Sequence, residues 1–206
     1  MPLSLGVASG AGSLKDPAEP FLLGYRTNWV SNPSFETNTT RWSAVAGATL
    51  SRDTVNYRSG IASLKVVNAS ASAAQYSDLP LVAGSGFYTI SAYVKLETGA
   101  TTANYFIRQL QYENIGGPTV SAGNLGIQSL SVTGNWVRLT GTINKAATAN
   151  FLNFRIVTAS TTSGDIFYVD DVVVEKGNAA GTYFDGDTGF WAGTAHASFS
   201  GFTPYS

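Results

Sequence analysis

Residues 87–97, FYTISAYVKLE, alternate with a period of two: Tyr88, Ile90, Ala92, Val94 and Leu96 share one face, and Thr89, Ser91, Tyr93 and Lys95 the other. Successive side chains of an extended strand point to opposite sides, so the pattern fits a half-buried strand and not a helix. The same rhythm recurs in NWVRLTGTIN, 135–144, where Val137, Leu139 and Ile143 oppose Trp136, Arg138, Thr140 and Thr142. Nine strands are predicted: Ala48–Thr54, Ile61–Asn68, Ala73–Asp78, Phe87–Glu97, Ala103–Glu113, Ile127–Val132, Asn135–Asn144, Asn150–Thr158 and Asp165–Glu175. Clusters of Gly, Asn, Ser and Pro separate them and read as turns.

Nine short alternating strands within residues 28–178 predict an all-β fold, a two-sheet jelly-roll β-sandwich with Greek-key connections. The stretch ENIGGPTVSAGN, 113–124, is expected to be an end loop. Residues 1–27, rich in Gly, Ser and Pro without periodicity, read as an extended arm. The apolar patch of Phe21, Leu22, Leu23 and Tyr25 in that arm either docks on a neighbour or covers the end of its own domain. Residues 179–206 form an aromatic C-terminal segment, with Tyr183, Phe184, Phe190, Trp191, Phe199, Phe202 and Tyr205 spaced by small residues. Left free it would expose a large apolar patch, so it is expected to pack on its own sandwich, on a neighbouring subunit, or on both.

Composition narrows the function classes. Twelve basic against thirteen acidic residues give a net charge of −1, with no run of either sign, so neither nucleic acid nor a membrane surface is an expected partner. The absence of cysteine excludes disulfides, thiolate metal sites and cysteine nucleophiles. The N-terminus lacks the basic and apolar regions of a secretion signal, and no stretch reads as a membrane span. A single histidine, His196, removes any multi-histidine centre, and no hydrolase or phosphate-loop motif is present. Asp185 and Asp187, two positions apart in a Gly-rich stretch, fit a turn better than an acid/base pair, and no catalytic residue is assigned. His196 is expected to be a hydrogen-bonded structural residue.

An ordered set of segments carries a resemblance. NWVSNPSFE (28–36), Trp42, YRSGIASLKV (57–66), YTISAYVK (88–95), GNWVRLTGTI (134–143) and FYVDDVVVEKG (167–177) together resemble the carbohydrate-binding-module jelly roll of the family 4/9 type. The later stretch YFDGDTGFWAGTAHASFS is similar to a segment that follows such jelly rolls in minor tail proteins of siphophages infecting actinobacteria. Together they imply a structural component of a phage virion near the tail tip, assembled with other virion tail proteins. A homo-oligomer is expected, with a trimer as the first guess, as is contact with host cell-wall glycan; a stand-alone glycan-adhesion module is the alternative.

The resemblance also implies sites. A structural calcium would join the first strand to the last through Glu36, Asp170 or Asp171 with Asp170 preferred, and backbone carbonyls. Strict alternation in FYVDDVVVE would send the two aspartates to opposite faces, leaving at most one on the core side. A sugar platform would combine rings with fixed polar groups. Tyr93, Tyr105, Gln109, Gln111, Trp136, Arg138, Asn153 and Arg155 lie on the expected polar faces, although Trp136 belongs to the scaffold pattern and fits packing better than ligand contact.

Overall fold

The computed structural model describes residues 26–69, 73–80, 86–97, 100–130, 134–159 and 162–202. The arm expected over residues 1–27, with its apolar patch at Phe21–Tyr25, therefore lies outside the described residues except for its last two positions. All regular structure described is strand.

Two five-stranded antiparallel sheets stack face to face. One orders β2 (Trp42–Val45), β5 (Ala73–Pro80), β10 (Phe151–Thr158), β7 (Ala103–Tyr112) and β8 (Thr119–Leu130) as β2-β5-β10-β7-β8. The other orders β3 (Thr49–Asp53), β4 (Ser63–Val67), β11 (Ile166–Lys176), β6 (Phe87–Leu96) and β9 (Trp136–Asn144) as β3-β4-β11-β6-β9. The chain crosses repeatedly between the two, giving the expected jelly-roll sandwich.

The alternation seen in the sequence builds the core directly. Tyr88, Ile90, Ala92, Val94 and Leu96 of β6 are all buried and meet Leu139 and Ile143 of β9 and Phe167, Val169, Val172 and Val174 of β11. Ile107, Leu152, Phe154 and Ile156 face them from the other sheet, and the Tyr105 and Phe167 rings meet across the layers at 5.3 Å. At one end Trp42 packs between Phe35 (5.3 Å), Tyr76 (5.4 Å) and Phe154 (5.7 Å), in the tilted and edge-on geometries that aromatic quadrupoles favour. This cluster anchors the NPSFE stretch, whose Pro33 carbonyl accepts the Val172 amide at 2.9 Å and so ties the start of the domain to β11.

Besides β2, which none of the nine predicted strands covers, three features depart from the expected elements. The stretch expected as a loop over 113–124 is strand from Thr119 onward, because β8 pairs with β7 through Leu110↔Ala122 and Gln111↔Ser121. A bulge in β11 breaks its register with β6 between Asp170 and Val173, with Asp171 at φ +52°. A small third sheet, β1 (Arg26–Asn28), β13 (Ser200–Phe202) and β12 (Phe190–Trp191) in the order β1-β13-β12, joins the two ends of the described chain. The C-terminal segment thereby closes on its own sandwich: Asn28 Nδ2 donates to the Phe184 carbonyl, Arg26 donates to Thr182, and Phe184 is fully buried.

Candidate functional site

The outward face of the β3-β4-β11-β6-β9 sheet carries Tyr93, Trp136 and Arg138, three of the residues expected to contact sugar. The chain itself covers much of it. The Arg58 guanidinium sits 3.6 Å from the centre of the Tyr93 ring and that of Arg138 at 5.6 Å, so the ring is spent on cation–π contacts. Arg138 Nη2 donates to Ser91 Oγ at 2.9 Å and to the Gly181 carbonyl at 2.5 Å. Lys95 Nζ donates to Asn56 Oδ1 at 2.9 Å, and Trp136, its register partner, is half-buried. The loop after β3 and the segment after β11 therefore lie on this face and use its side chains as packing.

Tyr105 and Gln109 correct the expected platform, for both point into the sandwich with 0% and 5% exposure. In ANYFIRQLQY each phase of the alternation carries apolar and polar residues, so hydropathy alone does not choose between them. Arg108 does: an unpaired guanidinium is too costly to bury, and its phase turns Phe106, Leu110 and Tyr112 to the outward side with it, where Leu110 is nonetheless buried. Gln111 is tolerated inside because its amide donates to the Asn144 carbonyl at 3.3 Å and accepts the Ala146 amide at 2.8 Å.

Asn153 and Arg155 lie, as expected of their polar phase, on the outward face of the β2-β5-β10-β7-β8 sheet. The β10–β7 register pairs Val157 with Phe106, Arg155 with Arg108, Asn153 with Leu110 and Phe151 with Tyr112. Rings thus stand at both ends of a central polar strip, about 20 Å apart at the rise of a strand. Of the eight residues expected to form one platform, two stand here, three (Tyr105, Gln109 and Gln111) are interior and three lie on the covered face of the opposite sheet. Phe106, Arg108, Tyr112 and Phe151 complete the face and were not singled out from the sequence, although the phase of Arg108 points to Phe106 and Tyr112.

The expected calcium ligands are close neighbours in an unexpected arrangement. The bulge after Asp170 removes the alternation that would have separated the two aspartates, and both are fully buried. Asp170 Oδ2 accepts the Arg58 amide at 2.8 Å and the Ser59 amide at 3.4 Å, while Oδ1 accepts the Asp171 amide at 2.8 Å. Asp171 pairs with the Arg58 guanidinium and accepts Ser59 Oγ at 2.5 Å. Glu36 Oε2 accepts the Ile61 amide at 2.9 Å, and its Oε1 is buried with no partner among the described residues. Amide hydrogens and a guanidinium already supply the positive partners of both aspartates. Among the described residues no three His, Asp or Glu side chains converge to hold a metal ion.

Burial raises all three carboxyls above their ordinary values. Asp170 is pushed up to about 8, first by burial and then by the charge of Asp171. Asp171 is raised by burial, against the pull of Ser59 and Arg58. Glu36 is raised by burial, against the Ile61 amide.

Asp185 and Asp187 serve as turn residues. Asp185 Oδ1 accepts the amides of Asp187 (3.0 Å) and Thr188 (3.2 Å), and Oδ2 accepts Tyr183 Oη at 3.0 Å. Asp187 Oδ1 accepts Trp191 Nε1 at 3.0 Å, and its other oxygen lies 3.5 Å from His196 Nε2. Gly186 lies under the Trp191 indole so closely that a Cβ would fall 2.1 Å from the ring, which explains the glycine between the two aspartates. A cavity of about 200 Å³ separates Asp185 and Asp187 from Glu36 and the 59–60 turn.

A family model described as a carbohydrate binding domain matches residues 27–164. No curated protein matches the chain. Among solved structures, the CBM22-1 xylan-binding domain of Paenibacillus barcinonensis Xyn10C is 22% identical, with a TM-score of 0.60, over 74% of this chain and 96% of that one. The C-terminal family 22 carbohydrate-binding module of Clostridium thermocellum Xyn10B is 21% identical, with a TM-score of 0.60, over 76% of this chain and 98% of that one. The enzymatically active domain of tailspike protein 4 of bacteriophage CBA120 is 17% identical, with a TM-score of 0.52, over 71% of this chain and 21% of that one. These likenesses establish the fold.

Proposed function

Because the chain belongs to the carbohydrate binding domain family, we propose that it binds glycan chains on the outward face of the β2-β5-β10-β7-β8 sheet. The observation that carries this reading is the register of that face: Phe106 at one end and Phe151 with Tyr112 at the other, with Arg155, Arg108 and Asn153 between. The C–H faces of sugar rings stack on aromatic rings, and their hydroxyls need a few fixed polar partners, which is the usual make-up of a ligand site. The opposite outward face is occupied by the chain's own loops and lacks such an open strip. The similar Paenibacillus module is a xylan-binding domain, so xylan is the first polymer to try. Calorimetric titration with xylan, a mixed β-glucan and solubilised bacterial wall is expected to show saturable binding to at least one. The Tyr112→Ala/Phe151→Ala variant is expected to weaken it about tenfold or more, the equivalent of ~1.4 kcal/mol. Undiminished binding by that variant would move the site elsewhere.

A second, finer reading concerns where the module works. The segment YFDGDTGFWAGTAHASFS, built here into a closed structure against β1, is what supports a minor tail protein of a siphophage over a stand-alone adhesion module. In that role the module contributes host-wall recognition to a symmetric assembly near the tail tip, and binding rather than hydrolysis is its task.

A further inference from the structure

We infer that the glycan taken by this face is acidic, with its anionic group seated against Arg108 and Arg155. The inference rests on the glycan-binding reading above and names its substrate class.

A single transverse row crosses the whole sheet. Ser43 is the register partner of Gln75, Gln75 of Arg155, Arg155 of Arg108, and Arg108 of Asn124. Every position in this row is occupied by a residue type that donates hydrogen bonds, and none by a carboxylate. Two arginines directly opposite one another repel, and sheets avoid such pairs unless something offsets the charge. The chain has only 12 basic residues, so placing two of them side by side in the middle of the open face is not a consequence of a basic surface. Arg26 pairs with Glu175 and Arg58 with Asp171, whereas Arg108 is exposed and takes part in no ion pair among the described residues.

The flanks of the row strengthen the case. Val157 and Phe106 lie on one side of it, and Leu110 with the Phe151–Tyr112 pair on the other. An anionic substituent between them would meet guanidinium groups framed by apolar surface, where water screens charge less. A guanidinium only donates, and its planar fork matches the two oxygens of a carboxylate or a phosphate. Neutral sugar hydroxyls both donate and accept, whereas the two arginines only donate. Uronate carboxylate and phosphodiester share this chemistry, and the experiment separates them.

Affinities of the whole chain are measured by calorimetry for a neutral xylan, a polygalacturonate and a polyol-phosphate wall polymer, at low and at physiological salt. At least one anionic polymer is expected to bind about tenfold or more tightly than the neutral one at low salt, as hydrogen bonds to charged groups predict. The gap is expected to narrow as salt rises. Arg108→Gln should bring the anionic-to-neutral ratio towards one, and Arg108→Lys should keep part of it, with thermal midpoints recorded alongside to show that both variants fold. The polymer that responds identifies the carboxylate or the phosphate. Equal affinity for neutral and anionic polymers, or a preference untouched by Arg108→Gln, would overturn the inference and leave the glycan-binding reading standing. Absence of binding to all three polymers would overturn the reading itself.

Discussion

Asp170 and Asp171 are adjacent carboxylates that a regular strand would divide between two faces, yet both are fully buried. Their identity as site candidates was legible in the DDV stretch, but their placement was not, because a bulge is set by what the strand must meet. Here it must meet the Arg58 guanidinium and the amides of 58 and 59. Burial and mutual repulsion raise the folded-state pKa of Asp170 from 3.8 to about 8, and Asp171 and Glu36 shift in the same direction. A raised folded value means that the folded chain binds these protons more tightly than the unfolded chain. The associated stability is fully present below a pH of about 4 and is lost as pH rises through about 8. The thermal midpoint is therefore expected to fall across that window, and Asp170→Asn to flatten the decline. A midpoint that rises towards neutral pH would contradict the direction of the shifts.

Strands differ in how much of their role their own residues announce. β6 and β10 carry clean alternation, and both the buried set of β6 and the outward Asn153 and Arg155 of β10 followed from it. β7 carries buried glutamines on one phase and Leu110, also buried, on the other, so its two phases look alike until the charge of Arg108 is weighed. The first half of β8, rich in Gly, Ser and Asn, reads as a loop; it becomes a strand by pairing with β7 and lying against β9. That approach depends on Gly126, at φ +56°, where a Cβ would fall 2.4 Å from the Thr140 carbonyl oxygen. Gly126→Ala is expected to cost about 2 kcal/mol through the left-handed backbone and the clash together. A denaturant midpoint close to that of the unaltered chain would show that the edge of the sandwich can relax.

For the molecule as a whole, the decisive event is that the two ends of the described chain meet. β1 pairs with β13 through Arg26↔Phe202 and Asn28↔Ser200, and the segment between β11 and β12 crosses the face that holds Tyr93 and Arg138. The aromatic content of this segment showed that it had to pack somewhere, and the fold supplies its own sandwich as the bed. If the module works in a tail tip, the chain is expected to sediment as a trimer and to be found by mass spectrometry in purified siphophage particles. A monomer absent from particles would favour the stand-alone adhesion module.

Alternation with a period of two is a local property, so the sequence by itself determined that the chain is a β-sandwich and which residues of β6, β9 and β10 turn inward. Its ordered motifs likewise determined the family. Which outward face stays open was decided only by the tertiary structure, because it depends on Arg58 reaching Tyr93 and Gly181 reaching Arg138. Those contacts join residues far apart in the chain, and no pattern within a single strand encodes which remote segment will cover it.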